Sequence, residues 1–218
     1  MRLHPKGLAV MFRSPKTSRL LLAITIAFSS ATGTIAVATP AYAVPTADII
    51  ATAKDEVGTR EGSARADSYG AAVGLYDSTH NFAWCAAFVS WLMERTGATS
   101  YRSASVGDWI AVADANTYGL SVTDTPQAGD LVAFDWDGNG DYAYPNRHIG
   151  LVKSVGTDGS FTTIEGNTSL PSGVDGVARK TRSTVDGYST LLIRIDVGSS
   201  SARTPTAINS DPSRDGTG

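Results

Sequence analysis

Residues 131–165 read LVAFDWDGNGDYAYPNRHIGLVKSVGTDGSFTTIE. Leu131–Asp135, Ile149–Val155 and Ser160–Glu165 are short runs rich in β-branched and aromatic residues, and Asp-Gly or Asn-Gly pairs at 137–138, 139–140 and 158–159 punctuate them. That pattern predicts antiparallel strands joined by tight turns. Two further runs, Val177–Arg182 and Leu191–Val197, extend it, with Asp-Gly again at 175–176. Upstream of Pro126 the periodicity changes. Thr46-Ala-Asp48 opens a helix through IIATAKDEVG, with Ile49, Ile50, Ala53 and Val57 on one stripe and Gly58 as a stop. A second helix is predicted from about Phe82 to Arg95, ending before Gly97. It is apolar nearly all round (Trp84, Ala86, Phe88, Val89, Trp91, Leu92), as a buried helix would be. A third is predicted over Val106–Ala115. Helices first and an antiparallel sheet afterwards define an α+β fold.

Working outward, the two ends of the chain differ from its middle. Residues 1–19 carry Arg2, Lys6, Arg13, Lys16 and Arg19 with no acid, Leu20–Ala38 is apolar, and Ala41-Tyr42-Ala43 follows Pro40. A basic start, an apolar core and an A-x-A site predict a secretory signal peptide at residues 1–43, cleaved after Ala43. The rival reading is an uncleaved anchor, since Leu20–Ala38 spans 19 residues. Its interior Ser29, Ser30, Thr32, Gly33 and Thr34 weaken that reading. Residues 199–218 (SSSARTPTAINSDPSRDGTG) lack any periodic pattern and are expected to be a disordered tail. Residues 44–198 remain, enough for one well-buried core, with no internal repeat and no linker to divide it.

Of 218 residues 42% are hydrophobic and 18% charged, too apolar for a wholly disordered chain. The formal charge of -3 is an average over unlike parts. The leader holds five of the 18 basic residues and none of the 21 acids, so cleavage leaves 13 against 21, a net -8. An anionic domain is not expected to track nucleic acid or anionic lipid. A single Cys excludes an internal disulfide framework and a Cys-rich zinc module.

By residue type alone, that free Cys is a small buried hydrophobe. Its position adds a second reading. Cys85 falls in the first turn of the buried helix, where orphan N–H groups and the helix dipole favour a thiolate and can serve as an oxyanion hole. A base is then required. Outside the leader the chain has two histidines: His148, opening the alternating run His148-Ile-Gly-Leu-Val, and His80, in the polar loop DSTHN. Glu165 is suited to orient an imidazole through its other nitrogen. Period 2 puts Phe161, Thr163 and Glu165 on one face, and a Gly156–Gly159 hairpin would bring that strand beside His148. Taken singly, His148 also reads as a structural strand residue and Glu165 as an exposed acid.

Four segments in order resemble one known family. Trp84-Cys85-Ala-Ala-Phe-Val-Ser-Trp91, Pro126-Gln-Ala-Gly-Asp-Leu-Val132, His148-Ile-Gly-Leu-Val152 and Ile164-Glu-Gly-Asn167 are similar to successive motifs of CHAP domains, the cysteine, histidine-dependent amidohydrolase/peptidases of the papain-like NlpC/P60 group. The resemblance covers about residues 46–197. Glu56-Val-Gly-Thr-Arg-Glu61 and Tyr69-Gly70 also look like the family's opening helix and cleft loop. The resemblance implies a papain-like fold with N-terminal helices on a short-stranded antiparallel sheet. It further implies Cys85 as nucleophile, His148 as base, Glu165 as orienter and Asn167 as the polar residue completing the site; His80 matches no catalytic position. The implied substrate is peptidoglycan, cut between N-acetylmuramate and L-alanine or within the stem peptide or cross-bridge. The leader predicts secretion, outside the cell or to the wall, and the chain is expected to be a monomer with no required cofactor. The rival from another class is a non-catalytic protein of this fold that binds wall peptides or a partner.

Asp135, Asp137 and Asn139 stand at the first, third and fifth positions of an EF-hand-like loop, with Gly140 sixth and Asp141 seventh. The twelfth position is Asn146 where that loop has Glu, and no helices flank it. Calcium at Asp135, Asp137, Asn139 and Asp141 is one reading and an acidic hairpin is the other; relatives in the family that bind calcium usually do so near the nucleophile helix. Asn167-Thr-Ser169 is a glycosylation sequon that a catalytic role for Asn167 argues against. Trp136, Tyr142 and Tyr144 are expected either to line a cleft or to pack.

Overall fold

The computed structural model describes residues 44–183 and 189–197. The expected signal segment at 1–43 and the expected tail at 199–218 lie outside the described residues. Helix α1 (Thr46–Asp55) carries Asp48 in its first turn and Lys54 in its last, both favourable to the helix dipole. Ile49 and Ala53 are buried, but Val57 lies past the helix end and is exposed, so the predicted stripe stops one turn early. Glu56 takes the inward position instead. It accepts from Arg65 Nε (2.8 Å) and Tyr69 Oη (2.6 Å), and those bonds hold its pKa below the ordinary carboxylate value although burial works the other way.

Helix α2 (Ala64–Ala71) is capped by Ser63 and buries only Ala66, Tyr69 and Gly70, too few apolar positions to register as a period. Helix α3 (Cys85–Thr96) is buried from Cys85 through Met93, as its all-round apolar sequence requires, and Gly97 ends it at φ 71°. Helix α4 (Val106–Asp114) starts at Ser105, whose hydroxyl accepts from the Asp108 N–H.

The strands are β1 (Leu120–Thr123), β2 (Leu131–Asp135), β3 (Arg147–Val155), β4 (Ser160–Ser169), β5 (Asp175–Ser183) and β6 (Ser189–Ile195). They form one antiparallel sheet in the order β1-β6-β2-β3-β4-β5. Five match the predicted runs. The unforeseen β1 is a four-residue edge strand that buries only Leu120. Asp130 pins the entry to β2: its carboxylate accepts from Arg194 Nε of β6 (2.6 Å) and from the Gln127 N–H (2.8 Å).

Alternation along the strands separates two cores. Leu131, Ala133, Ile149, Leu151, Ile164 and Ile193 pack with the helices, α3 lying against β3 and β4. Val132, Phe134, Val152, Phe161 and Leu192 make a smaller cluster on the opposite face. No helix among the described residues is long and apolar enough to cross a membrane.

Candidate active site

The site forms where the start of α3 meets β3 and β4. Trp84 is the N-cap residue, wholly buried, stacked on Tyr69 (ring centroids 5.7 Å apart) and donating from Nε1 to Glu61 Oε1 at 3.2 Å. These contacts fix the turn that presents Cys85. As the first helical residue, Cys85 has an N–H with no intrahelical acceptor. Its side chain is a free thiol, 5% exposed.

His148 sits near the start of β3, in register with Phe134 of β2. Its Nε2 lies 3.1 Å from Glu165 Oε2, which leaves Nδ1 as the ring nitrogen to serve the thiol. The predicted hairpin does bring β4 alongside β3, with Leu151 opposite Ile164. Gly150 makes the reach to His148 feasible: a Cβ there would stand 2.6 Å from Glu165 Cγ, so the carboxylate crosses over bare backbone.

Glu165 is fully buried and has two partners that sequence reasoning missed. Arg182 of β5 holds it in a fork, Nε to Oε1 at 2.9 Å and Nη2 to Oε2 at 2.6 Å. Thr163 Oγ1 donates to Oε1 as well. The Arg182 guanidinium lies over the rings of Phe134 (5.3 Å) and Trp136 (5.0 Å). Arg182 stands opposite Phe161 in the β4–β5 register and reaches back along the strand, a path that linear spacing does not reveal. An opposite charge on a neighbouring strand was the only signal available.

These contacts set the charge states. Burial alone would lower the His148 pKa, but the adjoining Cys85 and then Glu165 outweigh it, and the value is pushed up to about 10. Burial would raise Glu165, yet its bonds to His148 and Arg182 hold it down at about 2. At neutral pH the site therefore contains an imidazolium bonded to a carboxylate.

Asn167 completes the arrangement. It lines a pocket of about 180 Å³ with Cys85, His148, Tyr144, Pro145 and Arg147. A register irregularity between Glu165 and Thr168, with Asn167 at φ 52°, lets it leave the ladder. Gly166 explains the Glu-Gly-Asn run: a Cβ there would lie 2.6 Å from Phe88 Cβ and 2.8 Å from Trp84 Cζ3. The strand presses directly onto the first turn of α3. Gly166→Ala should therefore lower stability by about 1–3 kcal/mol through overpacking, read as the midpoint of denaturant unfolding. It should also widen the separation of Asn167 from Cys85 and slow any thiol reaction at the site.

Of the remaining candidates, Tyr144 shares the thiol's pocket and the others do not. His80 is exposed, with Nδ1 3.0 Å from Glu61 Oε2, and it does not line the Cys85 pocket. Of the three aromatics, Tyr144 reaches that pocket, Trp136 stacks on Phe134 (4.8 Å), and Tyr142 packs against the main core.

The fold and site together define an α+β domain with a helix-borne thiol facing a strand-borne His–Glu pair. Residues 76–167 match the family model described as CHAP domain. The matched segment includes Cys85, His148, Glu165 and Asn167. Among solved structures, the chain is similar to the wild type endolysin LysIME-EF1, at 20% identity and a TM-score of 0.46. That match covers 70% of this chain and 65% of the endolysin chain. No curated protein matches.

Proposed function

We propose that the protein is a secreted peptidoglycan hydrolase that cleaves an amide bond by thiol acyl transfer. The observation that carries this reading is His148 held against the buried Glu165 carboxylate at 3.1 Å while sharing a pocket with the free thiol of Cys85. A binding protein has no need of such a set, and the CHAP match spans all of its members.

In this mechanism the Cys85 thiolate, paired with the His148 imidazolium, attacks the amide carbonyl. The carbonyl electrons move onto oxygen, where the Cys85 N–H, free of helical acceptors, stabilises the oxyanion. Collapse of this intermediate breaks the C–N bond while His148 protonates the leaving amine. Neutral His148 then takes a proton from water, the hydroxide attacks the thioester, and the thiol is released. Glu165 keeps the imidazole oriented and stabilises its positive form, and Asn167 lines the pocket in which the acyl group is held. The bond cut is the N-acetylmuramoyl-L-alanine amide or a peptide bond of the stem or cross-bridge.

Purified peptidoglycan incubated with the protein should clear, and prior alkylation with iodoacetamide should stop the clearing. Mass spectrometry of the fragments assigns the bond: new L-alanine amino termini mean amidase, other new amino termini mean endopeptidase. Undiminished clearing by the alkylated protein, or none by the untreated protein, would refute the proposal.

A further inference from the structure

The connection between β2 and β3 holds a group of acids that the thiol chemistry leaves unused. One carboxylate oxygen from each of Asp135, Asp137 and Asp141 lies within 4.8 Å of the other two. Asp137 and Asp141 are exposed, whereas Asp135, at the end of β2, is wholly buried. Among the described residues no Lys or Arg forms an ion pair with any of the three.

Asp135 carries the decisive observation. Its Oδ2 accepts the Gly140 N–H at 2.6 Å, but its Oδ1 is sealed from solvent and has no hydrogen-bond partner. A buried carboxylate oxygen left bare is costly and uncommon. A cation at the meeting point of the three carboxylates supplies the missing partner.

Two side-chain amides surround it. Asn139 Nδ2 bridges Asp137 Oδ2 (3.3 Å) and Asp141 Oδ2 (3.2 Å), so an amide group occupies the space between two carboxylates. Its Oδ1 accepts the Asp141 N–H at 2.8 Å, and turning the amide to present that oxygen to a cation exchanges this bond for a ligand bond. Asn146, twelfth in the loop counted from Asp135, folds back to donate from Nδ2 to Asp137 Oδ2 at 2.7 Å. An all-oxygen set on an irregular loop suits calcium better than magnesium, which demands near-ideal octahedral geometry.

We infer that the β2–β3 connection binds one calcium ion through Asp135, Asp137, Asn139 and Asp141. The ion fastens the segment whose Tyr144, Pro145 and Arg147 line the catalytic pocket. It also anchors the strand that delivers His148, because Asp135 is in register with Arg147 and Phe134 with His148. This inference does not depend on the proposed hydrolase activity.

The test uses the whole chain after chelator treatment, with terbium(III) as a luminescent probe, since Trp136 lies between two of the ligands and can sensitise it. Tryptophan excitation should give terbium emission that saturates at one ion per chain. Calcium should displace it, and magnesium far less. Calcium at about a hundredfold above its Kd should raise the melting temperature by roughly 5 °C. Asp137→Asn combined with Asp141→Asn, both at exposed positions, should lose both responses while its circular dichroism spectrum is unchanged. Asn139→Ala, which keeps every carboxylate, should weaken calcium about tenfold. The assignment is overturned if the native chain gives neither terbium emission nor a calcium-dependent melting shift. It is equally overturned if both responses survive at full strength in the double variant, or if magnesium matches calcium in every readout.

Discussion

Cys85→Ala should abolish peptidoglycan clearing, with a rate loss of about 10⁴-fold or more, while the protein remains folded. The size of the effect follows from what the thiol alone supplies. In the proposed mechanism no acyl-enzyme forms without sulfur, and His148 and Glu165 have no nucleophile to activate; a neighbouring water would have to attack the amide directly. The structural cost is small. Cys85 is 5% exposed at the rim of the core, and alanine removes one atom from a helix whose other contacts persist. The melting temperature should stay within a few degrees of the native value. Clearing that continues at an undiminished rate in this variant would remove Cys85 from the mechanism.

Glu165→Gln should damage both activity and stability. The amide cannot neutralise Arg182 or an imidazolium at His148, and both cations stay where the carboxylate held them. Removing one partner of a buried ion pair costs about 3–5 kcal/mol. The lower end is expected, because Arg182 is 21% exposed and keeps some solvent. Activity should fall by about 10²–10⁴-fold, less than for loss of Cys85, because in the proposed mechanism Glu165 sets the geometry of His148 without forming a bond to substrate. Arg182→Met together with Glu165→Gln should recover part of the lost stability and none of the activity. Full activity in the single variant would show that His148 needs no orienting carboxylate.

The same pair shapes the response to pH. Glu165 titrates near 2 in the folded chain against 4.5 ordinarily, so its stabilising effect is complete above about 4.5 and is lost as pH falls through 2. His148 titrates near 10 against 6.5, so its effect is complete below about 6.5 and is lost as pH rises through 10. The melting temperature of the native chain should therefore decline in strong acid and again in alkali. The Glu165→Gln variant should show a shallower acid arm, the part due to carboxylates such as Glu56 remaining. Clearing should also fail toward pH 10, where His148 no longer carries the proton destined for the leaving amine.

Much of this was readable in the sequence because it is local. Continuous burial of α3 follows from its apolar composition on every side, and five strands follow from short runs bounded by Asp-Gly and Asn-Gly turns. The hairpin at Gly156–Gly159 made it possible for Glu165 to lie near His148. The misses share one physical character. Helix α2 and strand β1 are short elements held by tertiary contact, with too few buried residues to leave a period. Val57 fitted the helical stripe, but the helix ended before it and the buried position passed to Glu56, a charge that burial rules assign to the surface and that Arg65 and Tyr69 hold inside.

The sequence by itself determined the order of helices and strands, the single free thiol at a helix start and the pattern of motifs shared with CHAP domains. Only the tertiary structure decided what lies behind the His–Glu pair and how the site is closed. Arg182, Thr163 and the bare backbone at Gly150 surround Glu165 from three positions on three strands. Gly166 brings β4 against α3 closely enough to put Asn167 in the pocket with Cys85. Periodicity reports which face a residue shares with its near neighbours along one chain. The distance between charges on different strands depends on register, twist and close backbone approach, and those are fixed only when the sheet and the helix pack together.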